Sequence, residues 1–407
     1  MPLPDPAEGH KSTAKPRVLC VSTLYPNIWN PGAGIFVRYR LQAASALAEL
    51  RVIAPWPRLQ AGRVAAEAGA TVATGWSRDA ALEICRPAWL NVPGAGTLNP
   101  FLLFARLARL TATFRGKIDV VDAQFGFPDG PAAALLARWL RAPFVVTLRG
   151  SEVLHARDPL RKHLLAWTFR RAGRVIAVSE RLRQFAISLG APPERVKVIP
   201  NGVDSSVFFP RERRQARRTL AIPEDCRLIA AAGHLIRLKG FDTLLRAFHK
   251  LPPDGAPAQL WIAGDGRRRE PDWARSLAAL ADELQIADRV RFCGHLDQQQ
   301  LAHLISAADV FCLSSTREGW PNVVHEAMSC GTPVVATDVG AIPQMIPDDD
   351  YGIVVPSGDY DALAAALARA LVKPWDRAAI AALAQARSWS DVARELAAEW
   401  RCLKAAE

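Results

Sequence analysis

The sequence is short of the features that mark secreted, disulfide-bonded or membrane-spanning proteins. Its 407 residues include seven cysteines, an odd number never spaced as C-x-x-C, which argues against a disulfide framework and a zinc site. No stretch approaches the roughly 20 uninterrupted apolar residues that span a bilayer. The polar first residues also lack the apolar segment of a secretory signal. We therefore expect a cytoplasmic protein with free, buried thiols and a flexible leader over residues 1–16.

Negative charge is scarce in the first half of the chain. Residues 1–205 carry 27 Lys and Arg against 14 Asp and Glu, whereas residues 206–407 carry 24 against 26. The net charge of +11 therefore comes from the first half, which points to an anionic partner there. Nucleic acid, an anionic membrane surface and a phosphorylated acceptor would all satisfy this charge.

Short apolar runs alternate with helix-like segments along both halves of the chain. The run 17–22 predicts a buried strand, followed by a helix from Ile35 to Leu50. The pattern restarts at Leu228, and such alternation implies parallel sheets with helices on both faces. We expect an α/β fold of two doubly wound, Rossmann-like domains facing across a cleft. The predicted parts are residues 1–16 (leader), 17–204 (N-terminal domain), 205–387 (C-terminal domain) and 388–407 (C-terminal helix).

The stretch from Ser314 to Thr337 places two glutamates in a strand–loop–helix–strand unit. Glu318 follows a buried strand, and Glu326 stands eight positions later on a helix predicted to begin near Pro321. Free amides at that helix start suit a phosphate. Two carboxylates so placed can accept hydrogen bonds from the hydroxyls of one ligand, such as a sugar or a ribose. The alternative is that both are exposed surface charges.

A basic loop directly follows the first strand of the second half. It runs from Gly233 to Gly240 and carries His234, Arg237 and Lys239. Cations just past a strand end and next to a helix start are placed to neutralise a diphosphate. The alternative is a basic surface loop without a ligand.

A glycine loop follows the first strand of the chain. Gly32 and Gly34 allow a close backbone approach to a ligand. The loop fails the dinucleotide fingerprint, because Val37 occupies the position of its last small residue. The next strand closes on Pro55 without an acidic residue, so we do not expect bound NAD.

These elements, in this order, resemble the family-4 retaining glycosyltransferases of GT-B architecture, and the resemblance runs from about residue 17 to 400. It implies a nucleotide-diphosphate-sugar donor on the C-terminal domain and an acceptor on the N-terminal domain. It also implies that the C-terminal helix crosses back onto the first domain. Other stretches share the likeness: Phe125–Gly130, Arg174–Glu180, Val198–Asp204 and Ser388–Ser390.

The resemblance implies roles for individual residues. Glu326 would hold the ribose hydroxyls, Glu318 would contact the transferred sugar, and Lys239 would bind the diphosphate. The remaining donor-binding residues would surround the sugar, the phosphates and the base. They are Gly32, Gly34, His234, Arg237, Gly319, Asn322 and Val323, with the base near Phe292–Leu296.

Two positions depart from the usual family pattern. His234 stands where the family often has arginine, and Arg237 is the candidate to replace that charge. Arg149 stands where a histidine before glycine is common. Arg149 would stabilise the departing phosphate as a third catalytic residue beside Glu318 and Lys239, or it would form a structural ion pair with Glu152.

The chemistry implied by the resemblance is transfer of a hexosyl group with retention of the anomeric configuration. The leaving phosphate would take the acceptor's proton, while the protein positions groups and stabilises charge. No Asp-x-Asp pair stands at a predicted strand end, so we expect no required metal, and no cofactor beyond the donor substrate. The expected acceptor is a glycan or a lipid-linked molecule in polysaccharide or glycolipid biosynthesis.

Two basic amphipathic segments, Leu98–Lys117 and Leu160–Arg171, are candidates for peripheral contact with an anionic membrane face. Ordinary packing of these helices against the core explains their apolar stripes equally well. Nucleic-acid binding would use the same positive charge, but it leaves Glu318 and Glu326 without a role and lacks a recognition motif. We therefore expect no nucleic-acid partner. A catalytically degenerate scaffold, and an epimerase or phosphorylase on the same architecture, remain as alternatives.

Overall fold

The computed structural model describes residues 14–27, 32–58, 75–92, 94–252, 257–266, 270 and 272–405. The predicted leader lies outside these residues as far as position 13. The described chain divides into two compact units. The first unit comprises the residues up to Val146, Arg171–Arg174 and the residues from Ala393 on; the second comprises Thr147–Arg170 and Val175–Val392.

Ten strands form two sheets in the first part of the chain. They are β1 Arg17–Val21, β2 Glu49–Ile53, β3 Trp56–Pro57, β4 Trp76–Asp79, β5 Leu82–Cys85, β6 Ala88–Trp89, β7 Val120–Ala123, β8 Phe144–Leu148, β9 Arg174–Ala177 and β10 Val196–Val198. The first sheet has eight strands in the order β10-β9-β8-β7-β1-β2-β5-β4, and a two-stranded sheet pairs β3 with β6. The central strand β1 pairs in parallel with β2 and β7, and the edge strand β4 is antiparallel to β5. The helices along the same stretch are α1 Ile35–Ala44, α2 Asn99–Leu110, α3 Asp129–Leu140, α4 Ser151–His155, α5 Pro159–Arg171 and α6 Glu180–Ser188.

The second sheet has six strands: β11 Arg227–Ala232, β12 Ala258–Ala263, β13 Val290–Gly294, β14 Val310–Leu313, β15 Val334–Thr337 and β16 Gly352–Val355. Their order in the sheet is β13-β12-β11-β14-β15-β16, and every pair is parallel. Its helices are α7 Arg213–Thr219, α8 Phe241–His249, α9 Trp273–Glu283, α10 Gln298–Ala307, α11 Asn322–Ser329, α12 Ile342–Met345, α13 Tyr360–Val372, α14 Arg377–Gln385 and α15 Trp389–Ala405. The expectation of two doubly wound α/β domains is confirmed, while their facing each other across a cleft stays a prediction.

The central strands of both sheets are buried because helices cover both of their faces. Every residue of β14 is buried, as are Val18–Val21 of β1, and near-continuous apolar runs are typical of such parallel strands. In the second sheet the strand order reverses between β11 and β14. Ligands of open α/β sheets bind outside the carboxyl ends of the strands at such a reversal. The loops that follow β11 and β14 are therefore where the site is expected.

The helix predicted from Ile35 to Leu50 is wrong at its end. α1 stops at Ala44, and Glu49 and Leu50 belong to β2. The Glu49 amide donates to the Pro16 carbonyl oxygen at 2.9 Å, which starts the parallel ladder with β1. Pairing with the central strand therefore outweighs the helical spacing of the apolar residues, a tertiary effect that local propensity does not contain.

The last residues of α15 pack within the first unit. The Trp400 side chain is fully buried, and its indole N–H donates to Asp122 Oδ2 at 3.0 Å. Arg174 and Glu399 form an ion pair at 2.5 Å. These contacts tie residues 393–405 to β7 and β9, while the domain limits at 204 and 387 stay predictions.

Candidate functional site

The loops that follow β11 and β14 lie side by side. Ser314 Oγ donates to the Lys239 carbonyl oxygen at 2.9 Å, and the Thr316 amide donates to the Leu238 carbonyl oxygen at 2.9 Å. These bonds join the turn Arg237–Lys239 to the loop that leads into α11. The structure thus brings together the basic and the acidic stretch singled out from the sequence.

Lys239 and Glu318 form an ion pair at this junction. Lys239 Nζ lies 2.6 Å from Glu318 Oε1, and the two side chains are 19% and 13% exposed. Ser315 Oγ donates to the same carboxylate oxygen at 2.6 Å. Because an ammonium group carries three N–H donors, Lys239 can keep Glu318 and still donate to another acceptor. The pair can therefore present a cation and a carboxylate to one ligand.

The start of α11 follows Glu318 closely and carries free backbone donors. Pro321 is the N-cap residue and supplies no side-chain hydrogen bond to the first turn. The Val324 amide donates to the Pro321 carbonyl oxygen. Within the described residues the amides of Asn322 and Val323 have no partner, as is expected in the first turn of a helix. Such donors, at the positive end of the helix dipole, suit a phosphate.

The loop Arg149–Gly150 packs directly on Gly319. A Cβ atom at Gly319 would lie 1.9 Å from the Arg149 carbonyl oxygen, so only glycine fits. The Arg149 and Gly150 amides donate to the Glu152 carboxylate at 3.1 and 2.7 Å. Because Glu152 is fully buried, it fixes the backbone that carries Arg149. The resemblance to the family implied that Gly319 contacts the donor, and the structure adds a packing reason for a glycine there.

A side-chain relay connects Arg149 to the start of α11. Arg149 Nη1 lies 3.5 Å from Asn201 Oδ1, and Asn201 Nδ2 donates to Asn322 Oδ1 at 2.9 Å. Asn201 is 3% exposed, so its amide is held without competition from bulk water. The sequence analysis included Asn201 only in the stretch Val198–Asp204 and missed this role. The signal was available, because the stretch Val198–Asp204 already resembled the family.

Glu326 lies one turn after Asn322 on α11, and residues four apart share a helix face. Protein atoms around its carboxyl group remove it from water, and this desolvation raises the pKa of Glu326 to about 7. Part of the side chain still reaches the surface. A carboxyl group near half-protonation at neutral pH can both donate and accept hydrogen bonds. Such a group suits the hydroxyls of a ribose or a sugar.

His325, the neighbour of Glu326, points into the core instead. Its Nε2 lies 2.8 Å from the Ala384 carbonyl oxygen, and its ring packs edge-on against Trp320. Burial lowers the pKa of His325 to about 4, so the ring is neutral at physiological pH. His325 holds α11 against α14 and thereby fixes the helix that carries Glu326.

Two family models together match most of the chain. The model described as "Glycosyltransferase Family 4" matches residues 32–207, and the model described as "Glycosyl transferases group 1" matches residues 212–387. The chain belongs to the family-4 glycosyltransferases. In this family-4 chain, Arg149 and Asn201 lie in the first match, and Lys239, Glu318 and Glu326 lie in the second.

Curated relatives carry several activities. The chain is 36% identical over 237 residues to a D-inositol 3-phosphate glycosyltransferase of Mycolicibacterium paratuberculosis, which covers 56% of this chain and 52% of that protein. It is 28% identical over 253 residues to an N-acetyl-alpha-D-glucosaminyl L-malate synthase of Bacillus anthracis, covering 61% and 64%. The family-4 chain spans about half the length of the mycobacterial D-inositol 3-phosphate glycosyltransferase named here.

Solved structures share the fold of the family-4 chain. Sucrose-phosphate synthase from Thermosynechococcus elongatus has a TM-score of 0.77 at 23% identity, covering 97% of this chain and all of that one. HepE from Anabaena in complex with UDP has a TM-score of 0.73 at 21% identity, covering 94% and 98%. These likenesses show a GT-B fold.

The glycine loop of the first unit is only partly described, since residues 28–31 lie outside the described residues. Gly34 has a φ of +63°, and a Cβ atom there would lie 2.2 Å from the Leu24 carbonyl oxygen. Its close backbone approach is thus to Leu24 within the same unit. Gly32 is exposed, and a Cβ atom there would meet no described atom within 4 Å. A role for either glycine at a phosphate stays a prediction.

The remaining predicted donor contacts lie around the loop after β11. Arg237 is exposed, with its guanidinium carbon 4.1 Å from the centre of the Trp273 ring, and its amide donates to Glu270. The Arg237 guanidinium therefore stacks on a residue of α9. That Arg237 replaces the arginine charge for which His234 stands stays a prediction. His234 is half-buried. The Gly264 amide donates to the Gly294 carbonyl oxygen at 2.7 Å, and the Gly233 amide donates to the Ala263 carbonyl oxygen at 2.9 Å. These two bonds place the predicted base region, Phe292–Leu296, near the start of the loop after β11.

Two features of the described residues bear on metals and membranes. No group of three or more His, Cys, Asp or Glu side chains among them could hold a metal ion. None of their helices is both long enough and apolar enough to cross a bilayer. Metal independence and peripheral membrane contact both stay predictions.

Proposed function

We propose that the protein is a retaining, metal-independent hexosyltransferase. It moves a hexosyl group from a nucleotide-diphosphate sugar to a glycan or lipid-linked acceptor, in polysaccharide or glycolipid biosynthesis. The observation that carries the proposal is the Lys239–Glu318 pair at 2.6 Å, at the strand-order reversal where α/β sheets bind ligands. The nucleotide in the HepE complex and the sugar transfer in the relatives' names support it.

The proposed step exchanges one bond for another at the anomeric carbon. The bond from that carbon to the diphosphate oxygen breaks, and a bond to the acceptor hydroxyl oxygen forms on the same face. The hydroxyl proton goes to the departing phosphate oxygen. Negative charge grows on the diphosphate during this step, and Lys239 with the free amides of Asn322 and Val323 would stabilise it. Arg149 would add a second cation, while Glu318 and Glu326 orient the sugar and the ribose.

Donor binding is the first test. Thermal-shift measurements with UDP-, GDP- and ADP-sugars should raise the melting temperature with one of them, because a ligand that binds the folded state stabilises it. Lys239→Met should abolish that shift or weaken donor binding by roughly tenfold or more, as expected for loss of a charged hydrogen bond. Lys250→Met is the matched control, since Lys250 is exposed and paired with Asp361.

Transfer assays complete the test. Glu318→Gln and Glu326→Ala should lower turnover, and the anomeric configuration of the product, read by NMR, should equal that of the donor. Activity should survive EDTA. Donor binding without any transfer would favour the degenerate scaffold, whereas an inverted product or loss of activity in EDTA would contradict the proposed mechanism.

We also propose that the protein works at the cytoplasmic face of a membrane as a peripheral protein. The positive charge of residues 1–205 supports this, because anionic lipids attract basic surfaces. The nucleic-acid alternative is not favoured, since it gives no role to Glu318, Lys239 or Glu326 and the relatives transfer sugars.

A further inference from the structure

A surface pocket between α5 and the end of α6 gathers three basic side chains. Its volume is about 420 Å³, and its lining includes Lys162, His163, Arg170 and the turn Ser188–Gly190. The first three are exposed. Among the described residues, none of them has an ion-pair partner within reach. Lys162 and Arg170 both carry a positive charge and repel each other across the opening, and an anion seated between them relieves that repulsion.

The opposite face of α5 anchors the helix to the core. Leu165, Thr168 and Phe169 are buried, whereas Ala166 lines the pocket between the basic residues. The basic residues therefore sit on a fixed face of a packed helix. Residues 157–171 hold five Lys and Arg, Arg157 among them, against one acidic residue, Asp158, and the surroundings of the pocket strengthen its positive potential.

An exposed apolar side chain lies next to this positive pocket. Leu160, in the first turn of α5, follows the pocket residue Pro159 and is 66% exposed. On the preceding helix α4, Leu154 and Val153 are 45% and 37% exposed. Leucines that stay in water beside a basic face lower their free energy by entering the boundary between headgroups and acyl chains. A soluble phosphate ester would use the cations and leave these side chains in water, so the combination favours a lipid.

We propose that the pocket of Lys162, His163 and Arg170 binds the phosphate of an anionic lipid headgroup, with Leu160 entering the bilayer surface beside it. This rests on the peripheral membrane role proposed above and names the surface that performs it. Of the two basic segments found in the sequence, α5 is thus the one that contacts lipid. Lysine and arginine supply the charge-assisted hydrogen bonds that a phosphate accepts.

Co-sedimentation with vesicles tests the proposal. Wild-type protein should bind phosphatidylglycerol vesicles at low salt and bind phosphatidylcholine vesicles far less. Lys162→Ala with Arg170→Ala should weaken binding by about 25-fold, about fivefold for each charge removed. Leu160→Ser should weaken binding to a smaller extent without lowering the melting temperature, because the side chain is largely in water already.

Arg214→Ala with Arg218→Ala is the matched control, because it removes two positive charges from the exposed face of α7. Equal losses of vesicle binding in the two double variants would overturn the proposed pocket, because they would show that binding depends on total charge and not on the position of the charges. If glycerol 3-phosphate raises the melting temperature of the protein but vesicles do not bind it, the phosphate belongs to a soluble ester, and the proposal of a lipid headgroup is overturned. Donor thermal shifts of wild-type protein without vesicles report on the proposed transferase function separately.

Discussion

At the scale of single residues, the neighbours His325 and Glu326 respond to pH in opposite ways. The pKa of buried His325 falls to about 4 on folding, so its contribution to stability is present above its unfolded pKa of about 6.5 and is lost as pH falls. The pKa of Glu326 rises to about 7, so its contribution is present below about 4.3 and is lost as pH rises. Between about pH 4.3 and about pH 6.5 the effects of His325 and Glu326 on stability oppose each other.

Replacing either neighbour should expose the effect of the other. From pH 7 to pH 5, wild type should lose up to about 2 kcal/mol of unfolding free energy relative to His325→Gln, because the unfolded state binds the histidine proton first. Relative to Glu326→Gln, wild type should gain stability over the same interval. Urea unfolding at several pH values measures both differences, and pH curves parallel to the wild-type curve would contradict the two shifts.

Asn201 should act as a positioning residue between Arg149 and Asn322. Asn201→Ala removes both of its contacts, and we expect kcat/KM for the donor to fall by roughly tenfold, as for about 1.4 kcal/mol of lost hydrogen bonding. Steady-state kinetics measure this, with the melting temperature as a check on folding.

Asn201→Asp separates the two contacts of Asn201. The aspartate keeps an acceptor for Arg149 but cannot donate to Asn322 Oδ1. If the start of α11 is what Asn201 positions, Asn201→Asp should be as impaired as Asn201→Ala. A purely structural residue would lower the melting temperature of both variants and leave their kcat and KM unchanged.

At the scale of elements, the site depends on the contact between the loop 318–323 and the loop Arg149–Gly150. Gly319→Ala should force these loops apart, because the new methyl group would overlap the Arg149 carbonyl oxygen, 1.9 Å away. We expect a cost of about 1–3 kcal/mol and a larger proportional loss of transfer activity. Urea unfolding and transfer assays measure the two effects.

The control for this variant is Gly75→Ala. A Cβ atom at Gly75 meets no atom of the described residues within 4 Å, so both stability and activity should stay near wild type. Normal activity in Gly319→Ala would mean that the contact between the loops is not needed for the site.

At the scale of the whole molecule, residues distant in sequence complete the first unit. Trp400→Ala should destabilise this unit by about 3–5 kcal/mol, because it empties a fully buried site and removes the donor to Asp122. Trp400→Phe should cost less, since most of the volume is kept. Urea unfolding of both variants measures the difference, and equal, small losses would show that α15 adds little.

The alternation of strands and helices and the basic and acidic loops of the second half could be predicted from sequence. Periodicity reveals strands such as β1 and β14, because a strand covered on both faces must be continuously apolar. The end of α1 could not be predicted, because the residues that follow it pair with β1, a strand distant in sequence. Asn201 was missed for the same reason, since its partners lie 52 and 121 positions away.

Local periodicity was enough to predict the two α/β sheets, and the loop motifs were enough to select Lys239, Glu318 and Glu326 and to carry the resemblance to the family. These properties depend on residues that are neighbours in the sequence, so they can be recognised without knowing how the chain packs. The pairing of Lys239 with Glu318, the contact of Gly319 with Arg149 and the titration of Glu326 near neutrality follow from folding alone. Distances between loops and the exclusion of water from a carboxyl group arise when distant parts of the chain pack together.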